Sequence, residues 1–289
     1  MEKFPSRDNI QVVVYHSPCI DGAAAALCAR VFSPNISLVP FDYTPKTVDA
    51  LFKFTDKQIL FVDCAPSREV YNRLVGDGNT VSILDHHAGN ALEYFSTPRC
   101  VFDPDLSGCQ LAWSYFMFGL QEPKLLTMIG ERDRGAFSDE NRCLGYALMD
   151  LPNGGATVEN LEPLLARGEP ALQELIQAGQ AIQKTIDATI KKHKVFLVSH
   201  EHEINGLLYE LVFIEVQSHK FLQEMVEEVI PPDSEAVVVF HQRLPDGTYK
   251  LYLRTRGTAD LSALAKTIGG GGHPKAAGAV VKELPWLSE

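Results

Sequence analysis

Three short apolar runs, each emptying into histidine or aspartate, constrain this chain more than any other feature. Gln11–Tyr15 (QVVVY), Gln58–Val62 (QILFV) and Val81–Leu84 (VSIL) are rich in β-branched residues and continuous rather than alternating. That is the pattern of strands buried on both faces. Helix-like stretches, Ala23–Phe32 and Arg68–Val75, lie between them. Strands alternating with helices predict a parallel sheet covered on both sides. The first run is followed by His16 and, after Ser17-Pro18-Cys19-Ile20, by Asp21-Gly22; the second by Asp63; the third by Asp85-His86-His87. Ligands of open α/β sheets sit beyond the carboxyl ends of the strands, so the spacing predicts one site fed by three strand ends. Taken singly, each residue also reads as a turn former, and Ser67, shortly after Asp63, reads as a helix N-cap.

Downstream the chain turns helical, with helices expected over Ser107–Phe118 and Pro123–Gly130 and Gly119 as a stop. Between Val158 and Lys194, Leu172, Leu175, Ile176, Ala178, Ile182 and Ile186 keep roughly helical spacing. Leu161–Arg167 reads as a separate short helix ended near Gly168 and Pro170, and the rest as a connector, with one more core helix as the alternative. Then Leu207–Val216, Ala236–Gln242 and Tyr249–Arg254 read as strands and Phe221–Val229 and Leu261–Ile268 as helices, with Pro245-Asp246-Gly247 as a hairpin turn. The expected organisation is an α/β parallel-sheet domain over residues 1–157, a helical connector over 158–195, and a smaller mixed α/β domain over 196–289.

Charge narrows the partners. The 289 residues carry a net charge of −11, whereas long nucleic acid is held mainly by basic surfaces. No long duplex nucleic acid is expected, and a small anion needs local help from helix N-termini, backbone amides or metals. No apolar run is long enough for a bilayer, and the polar start of the chain resembles neither a signal nor a transit peptide, so a cytoplasmic location and no membrane partner are expected. The six cysteines show no CxxC pair, which reads as free thiols rather than a disulfide scaffold or structural zinc. A second copy of the chain is a candidate partner through exposed surface.

Late in the chain stands GGGGHPKAAG. Gly269–Gly272 lets backbone amides approach an anion, His273 and Lys275 add donors, and Arg254 and Arg256 end a neighbouring strand. A flexible loop and a solvated strand end are the plain alternatives. The order HSPCIDGAAAA, VDCAPS, ILDHH, GGGGHPKAAG resembles that of the DHH phosphoesterases, the last motif resembling the signature of their DHH-associated C-terminal domain. The resemblance covers roughly Val12 to Gly278. It implies two divalent cations, manganese first, with magnesium or cobalt as alternatives.

By motif, the resemblance implies His16, Asp21, Asp63 and His86 as metal ligands, with Asp63 bridging and Asp85 orienting the His86 ring. His87 would face the substrate phosphate, making Asp63, Asp85, His86 and His87 the catalytic set. A further ligand is expected from Glu131-Arg132-Asp133-Arg134, Asp133 ahead of Glu131. Cys19 stands where many members carry an acid, leaving its part in the metal shell open. Gly270, Gly271, Gly272, His273, Lys275, Arg254, Arg256 and His87 are the expected substrate contacts. The implied activity is hydrolysis of phosphate esters in small nucleotides or short oligonucleotides, releasing nucleoside monophosphates, as nanoRNases do. Rival readings are a pAp phosphatase, an exopolyphosphatase or pyrophosphatase, and a nucleotide-binding regulator whose catalysis Cys19 impairs.

Overall fold

The computed structural model describes residues 4–94, 96–136, 138–194, 199–204, 206–216, 222–231 and 233–286. The chain divides into two compact units, Met1–Ile182 and Gln183–Glu289.

The first unit opens with alternating strands and helices. They are β1 (Val12–His16), α1 (Ile20–Phe32), β2 (Ser37–Phe41), α2 (Pro45–Leu51), β3 (Gln58–Val62), α3 (Arg68–Gly76), β4 (Thr80–Asp85), α4 (Ala88–Tyr94) and β5 (Cys100–Phe102), then α5 (Gly108–Phe116). The five strands are all parallel, in the order β2-β1-β3-β4-β5. Chain direction across the sheet therefore reverses between β1 and β3, the switch point where open α/β sheets form a crevice. Alternate strand residues enter two cores, as a sheet covered on both faces requires. Val12, Val14, Ile59, Phe61, Val81 and Ile83 pack with Leu51, Val70, Leu74 and Tyr94. Val13, Leu60, Val62 and Leu84 face the alanine-rich α1 and the helices after β5.

Those helices are α5, α6 (Lys124–Asp133), α7 (Asp139–Asp150), α8 (Val158–Arg167) and α9 (Glu169–Lys194). Val158 and Leu161 of α8 and Leu172, Leu175 and Ile176 of α9 join the first unit's core. The stretch expected as a connector is thus core helix over α8 and the first turns of α9, because its apolar stripe finds a ready partner surface. The boundary between units falls within α9.

Helix α1 owes its position to small side chains. Gly22, the four consecutive alanines at 23–26, Leu27, Cys28 and Ala29 are all buried. A Cβ on Gly22 would lie 2.1 Å from the His16 carbonyl oxygen. No other residue lets the β1–α1 loop close so tightly.

The second unit contains β6 (Ser199–Ile204), β7 (Leu207–Glu215), α10 (Leu222–Val229), β8 (Val237–Arg243), β9 (Tyr249–Thr255), α11 (Leu261–Lys266), β10 (Gly271–His273) and β11 (Ala276–Val281). Its sheet runs β10-β11-β9-β8-β7-β6, antiparallel except where β7 meets β8. Leu211, Phe213, Val237, Val239, Leu251 and Leu253 pack on Leu261, Leu264 and Ala265 of α11. Gly247, at φ 86°, turns the β8–β9 hairpin, and Asp246 Oδ1 accepts from the Thr248 amide at 3.0 Å. The start of the helix expected from Phe221 lies outside the described residues. No helix among the described residues is long and apolar enough to cross a membrane.

Candidate metal centre

The sheet brings the three polar strand ends to the switch point. His16 closes β1, Asp63 follows β3 directly, and Asp85 closes β4 ahead of His86 and His87. Asp63 sits at φ 58°, a left-handed conformation that costs most L-residues roughly 1–2 kcal/mol but that aspartate tolerates. Its amide still donates to the Leu84 carbonyl at 3.0 Å, so the turn starts without breaking the ladder. Asp21, in the first turn of α1, and Asp133, at the end of α6, complete the ring.

The distances bind these residues into one cluster. Asp63 lies 3.5 Å from His16 through Oδ2 and Nδ1, and 3.2 Å from His86 Nε2 through Oδ1. His86 Nε2 is also 3.3 Å from Asp133 Oδ2. Potential ligand atoms of three groups each lie within 4.8 Å of one another: Asp63, Asp85, His86 and His87; His16, Cys19 and Asp63; Asp21, His86 and Asp133. Glu131 is not among them, for its Oε2 accepts from Asn141 Nδ2 at 2.9 Å on α7.

One expectation is corrected. Asp85, fully buried, accepts the His87 ring at 2.7 Å through Oδ1, but meets His86 only through that residue's backbone amide at 2.8 Å. The backbone after Asp85 folds its amides over the carboxylate, and this brings the ring two residues on, not the adjacent one, into reach. Asp85 therefore orients His87. Asn90 Nδ2 donates to its other oxygen at 2.6 Å.

Several site residues carried no motif signal. Ser107 Oγ and the Cys109 amide both donate to Asp21 Oδ1, at 2.8 and 3.1 Å. Gly108 makes that approach feasible, since a Cβ there would lie 2.4 Å from Asp63 Cβ and 2.8 Å from Asp21 Oδ2. The start of α5 thus clamps two carboxylates at once, and only its helix boundary was readable. Tyr43 stands at the rim, its ring 6.1 Å from that of His16.

Electrostatics sharpen the roles. Burial, reinforced by Asp63 and Asp133, pushes the Asp21 carboxyl up to about 7. Burial also acts on Asp63, but the His16 and His86 imidazoles beside it win and hold it below the ordinary carboxylate value. Asp63 correspondingly raises His86. The Asp85 hydrogen bond, opposed by burial, raises His87 to about 9, which makes it an imidazolium at neutral pH. Burial, then Asp63, pushes the Cys19 thiol up to about 12.

The donor set suits a divalent cation. Asp21 Oδ2 and Asp63 Oδ2 are buried with no hydrogen-bond partner, on side chains only 1% exposed. Unpaired buried carboxylate oxygens are costly, and carboxylates crowded with imidazoles are ligands such a cation satisfies.

In the second unit, Arg254 and Gly269–Gly272 line one open groove together with Lys250 and Tyr252. Gly271 and Gly272 are strand residues paired with Gly278 and Ala277, not a loose loop. A Cβ on Gly270 would lie 2.2 Å from the Gly278 carbonyl oxygen, so close strand contact accounts for that glycine. Arg254 donates to the Leu253 carbonyl at 2.9 Å. Arg256 and Lys275 reach elsewhere, to the carbonyls of Ile230 and Gly257. The His273 side chain lies outside the described residues.

Comparison with known proteins adds several likenesses. Residues 211–288 match the DHHA1 domain. Uncharacterized protein R106 of Acanthamoeba polyphaga mimivirus is 22% identical over 296 residues, covering 94% of this chain and 68% of that protein. The pGpG-specific phosphodiesterase PggH of Vibrio cholerae shares the fold at a TM-score of 0.55 and 12% identity, over 93% of this chain and 92% of its own. An uncharacterized Helicobacter pylori G27 protein aligns over 95% of this chain and 94% of its own at 15% identity, with a TM-score of 0.45. Residues 211–288 thus resemble a DHHA1 domain, and the chain, whose doubly wound sheet has a fourth strand that ends at Asp85 ahead of His86 and His87, shares its fold with PggH.

Proposed function

We propose that this protein hydrolyses phosphate esters in small nucleotides or short oligonucleotides, releasing nucleoside monophosphates, with two divalent cations, manganese first, held at the switch point. The observation that carries the reading is the pair of buried, donorless oxygens on Asp21 and Asp63, set among two further aspartates and three histidines. His16 and Asp63 would hold one cation; Asp21, His86 and Asp133 the other, with Asp63 between. Bound there, divalent cations neutralise phosphate charge and lower the pKa of water.

The chain's own groups supply the rest. Asp85 fixes one nitrogen of His87, which leaves the other free on a ring that is half exposed. As an imidazolium it offers charge and a proton to a phosphate oxygen or a departing alkoxide. In the second unit, Arg254 beside the glycine strands offers a cationic groove for a nucleotide phosphate or base. PggH acts on pGpG, a linear dinucleotide and so within the proposed substrate class, though its likeness to this chain supports the fold alone.

The test is mass spectrometry of products from a 5′-phosphorylated dinucleotide with Mn²⁺, wild type beside Asp63→Ala. Mononucleotides from the wild type alone are expected. Turnover of polyphosphate but not of dinucleotide would transfer the assignment to an exopolyphosphatase. Binding without turnover of either would leave the regulator reading.

A further inference from the structure

We infer that Cys19 is a metal ligand and that the two halves of the centre differ in softness, so that the half containing His16, Cys19 and Asp63 prefers a thiophilic ion such as Zn²⁺ or Fe²⁺ over Mn²⁺ or Mg²⁺. This rests on the reading that the centre holds divalent cations, and it deepens that reading by assigning each half its own chemistry.

Placement comes first. Ligand atoms of His16, Cys19 and Asp63 all lie within 4.8 Å of one another. The loop that carries Cys19 is pinned, since Gly22 packs against the His16 carbonyl with no room for a Cβ. Cys19 is the N-cap residue of α1, which places its sulfur at the start of that helix. Independently, the oxygen of Asp63 nearest His16 is buried without a donor, so a carboxylate oxygen waits for a cation at the same point.

Four of the other cysteines are differently placed. The sulfurs of Cys28, Cys64, Cys100 and Cys109 lie against main-chain carbonyl oxygens. Cys19 instead has an imidazole and a carboxylate for neighbours.

Chemistry separates the two halves. Thiolate is a soft donor that favours Zn²⁺ or Fe²⁺, whereas a set dominated by carboxylates tolerates the harder Mn²⁺. Asp21, His86 and Asp133 contain no sulfur. On ligation the Cys19 thiol gives its proton to solvent and the sulfur donates a lone pair to the ion, with no change of oxidation state. Cation charge at the sulfur replaces the proton, as it does for coordinated thiols generally.

The experiment is a titration of the full-length, metal-stripped chain with Co²⁺ alone, followed by absorption. Visible d–d bands report ions bound in the protein, and a near-ultraviolet sulfur-to-cobalt charge-transfer band reports thiolate ligation. Wild type should show both. Cys19→Ser should lose the charge-transfer band and keep d–d absorption, with circular dichroism confirming that it is folded. In competition dialysis, wild type should take up Zn²⁺ ahead of Mn²⁺ at one position by a wide margin, and Cys19→Asp should narrow that margin. Bound Co²⁺ without the charge-transfer band, or with a band that survives in Cys19→Ser, overturns the thiolate and leaves the metal centre standing. No bound Co²⁺ at all overturns both.

Discussion

Replacing Gly108 with alanine should disable the centre from a position that bears no donor. Its methyl would stand 2.4 Å from Asp63 Cβ and 2.8 Å from Asp21 Oδ2, whereas ordinary contact begins near 3.4 Å. Both aspartates are 1% exposed, so neither can swing into solvent, and α5 must withdraw by roughly 1 Å in a close-packed interior. Alanine gains about 0.5–1 kcal/mol over glycine in a helix, and overpacking costs about 1–3 kcal/mol. The second effect wins, for a net loss of about 1 kcal/mol. Withdrawal of α5 also removes Ser107 and the Cys109 amide from Asp21, and losing such supporting hydrogen bonds costs about 10–100-fold in metal affinity. Gly76→Ala is the control. It lies at an exposed helix end with nothing within 4 Å of the new methyl, so stability should hold or rise by about 0.5 kcal/mol. Urea unfolding of the metal-free proteins and calorimetric Mn²⁺ titration read both effects. If the two variants unfold alike and Gly108→Ala binds Mn²⁺ as the wild type does, the tight fit of α5 on the carboxylates is wrong.

Other expectations concern charge. Asp21 is a carboxyl raised above its ordinary value, to about 7, so its contribution to metal-free stability is full below about pH 4 and lost as pH rises through 7. Asp21→Asn should flatten that part of the profile in urea unfolding at stepped pH, and an unchanged slope would remove Asp21 as its source. Chelation should lower the melting temperature, since a cation at 100 times its dissociation constant stabilises by about 2.7 kcal/mol; the shift should vanish in Asp63→Ala. His87→Ala should slow hydrolysis with a nucleoside leaving group by about 10²–10⁴-fold if it acts as an acid, and far less with a nitrophenolate, which leaves without a proton. Equal losses on the two esters would confine His87 to phosphate binding.

The central strands were legible because continuous β-branched runs have few alternatives, and their polar ends mark where a parallel sheet collects ligands. Edge strands were not. β2 contains Pro40, which reads as a breaker yet is tolerated at a sheet edge, and β5 has three residues. The glycine strand β10 was not legible as a strand because glycine has no strand preference; pairing with Ala276–Gly278 decides it. In the centre, the motif residues of the first unit were readable, but their roles depend on contacts across the chain. Ser107 reaches Asp21 over 86 residues of separation, and the choice between His86 and His87 as partner of Asp85 is made by backbone geometry that residue identity does not encode. Asp133 and Glu131 sit two apart on one helix, and only packing turns Asp133 toward His86 and Glu131 toward Asn141.

The donors of the centre come from the ends of three strands and from two helices, so no short fragment of the chain gathers the full set. An unfolded copy keeps only fragments of the set, His16 to Asp21 and Asp85 to His87, so ions bind it more weakly and most of the binding free energy counts toward the native state. Shortage of metal would then be felt before any substrate is met: more copies open transiently, and those are the ones proteases cut. On the proposed function, the supply of metal would thereby set how long each molecule survives.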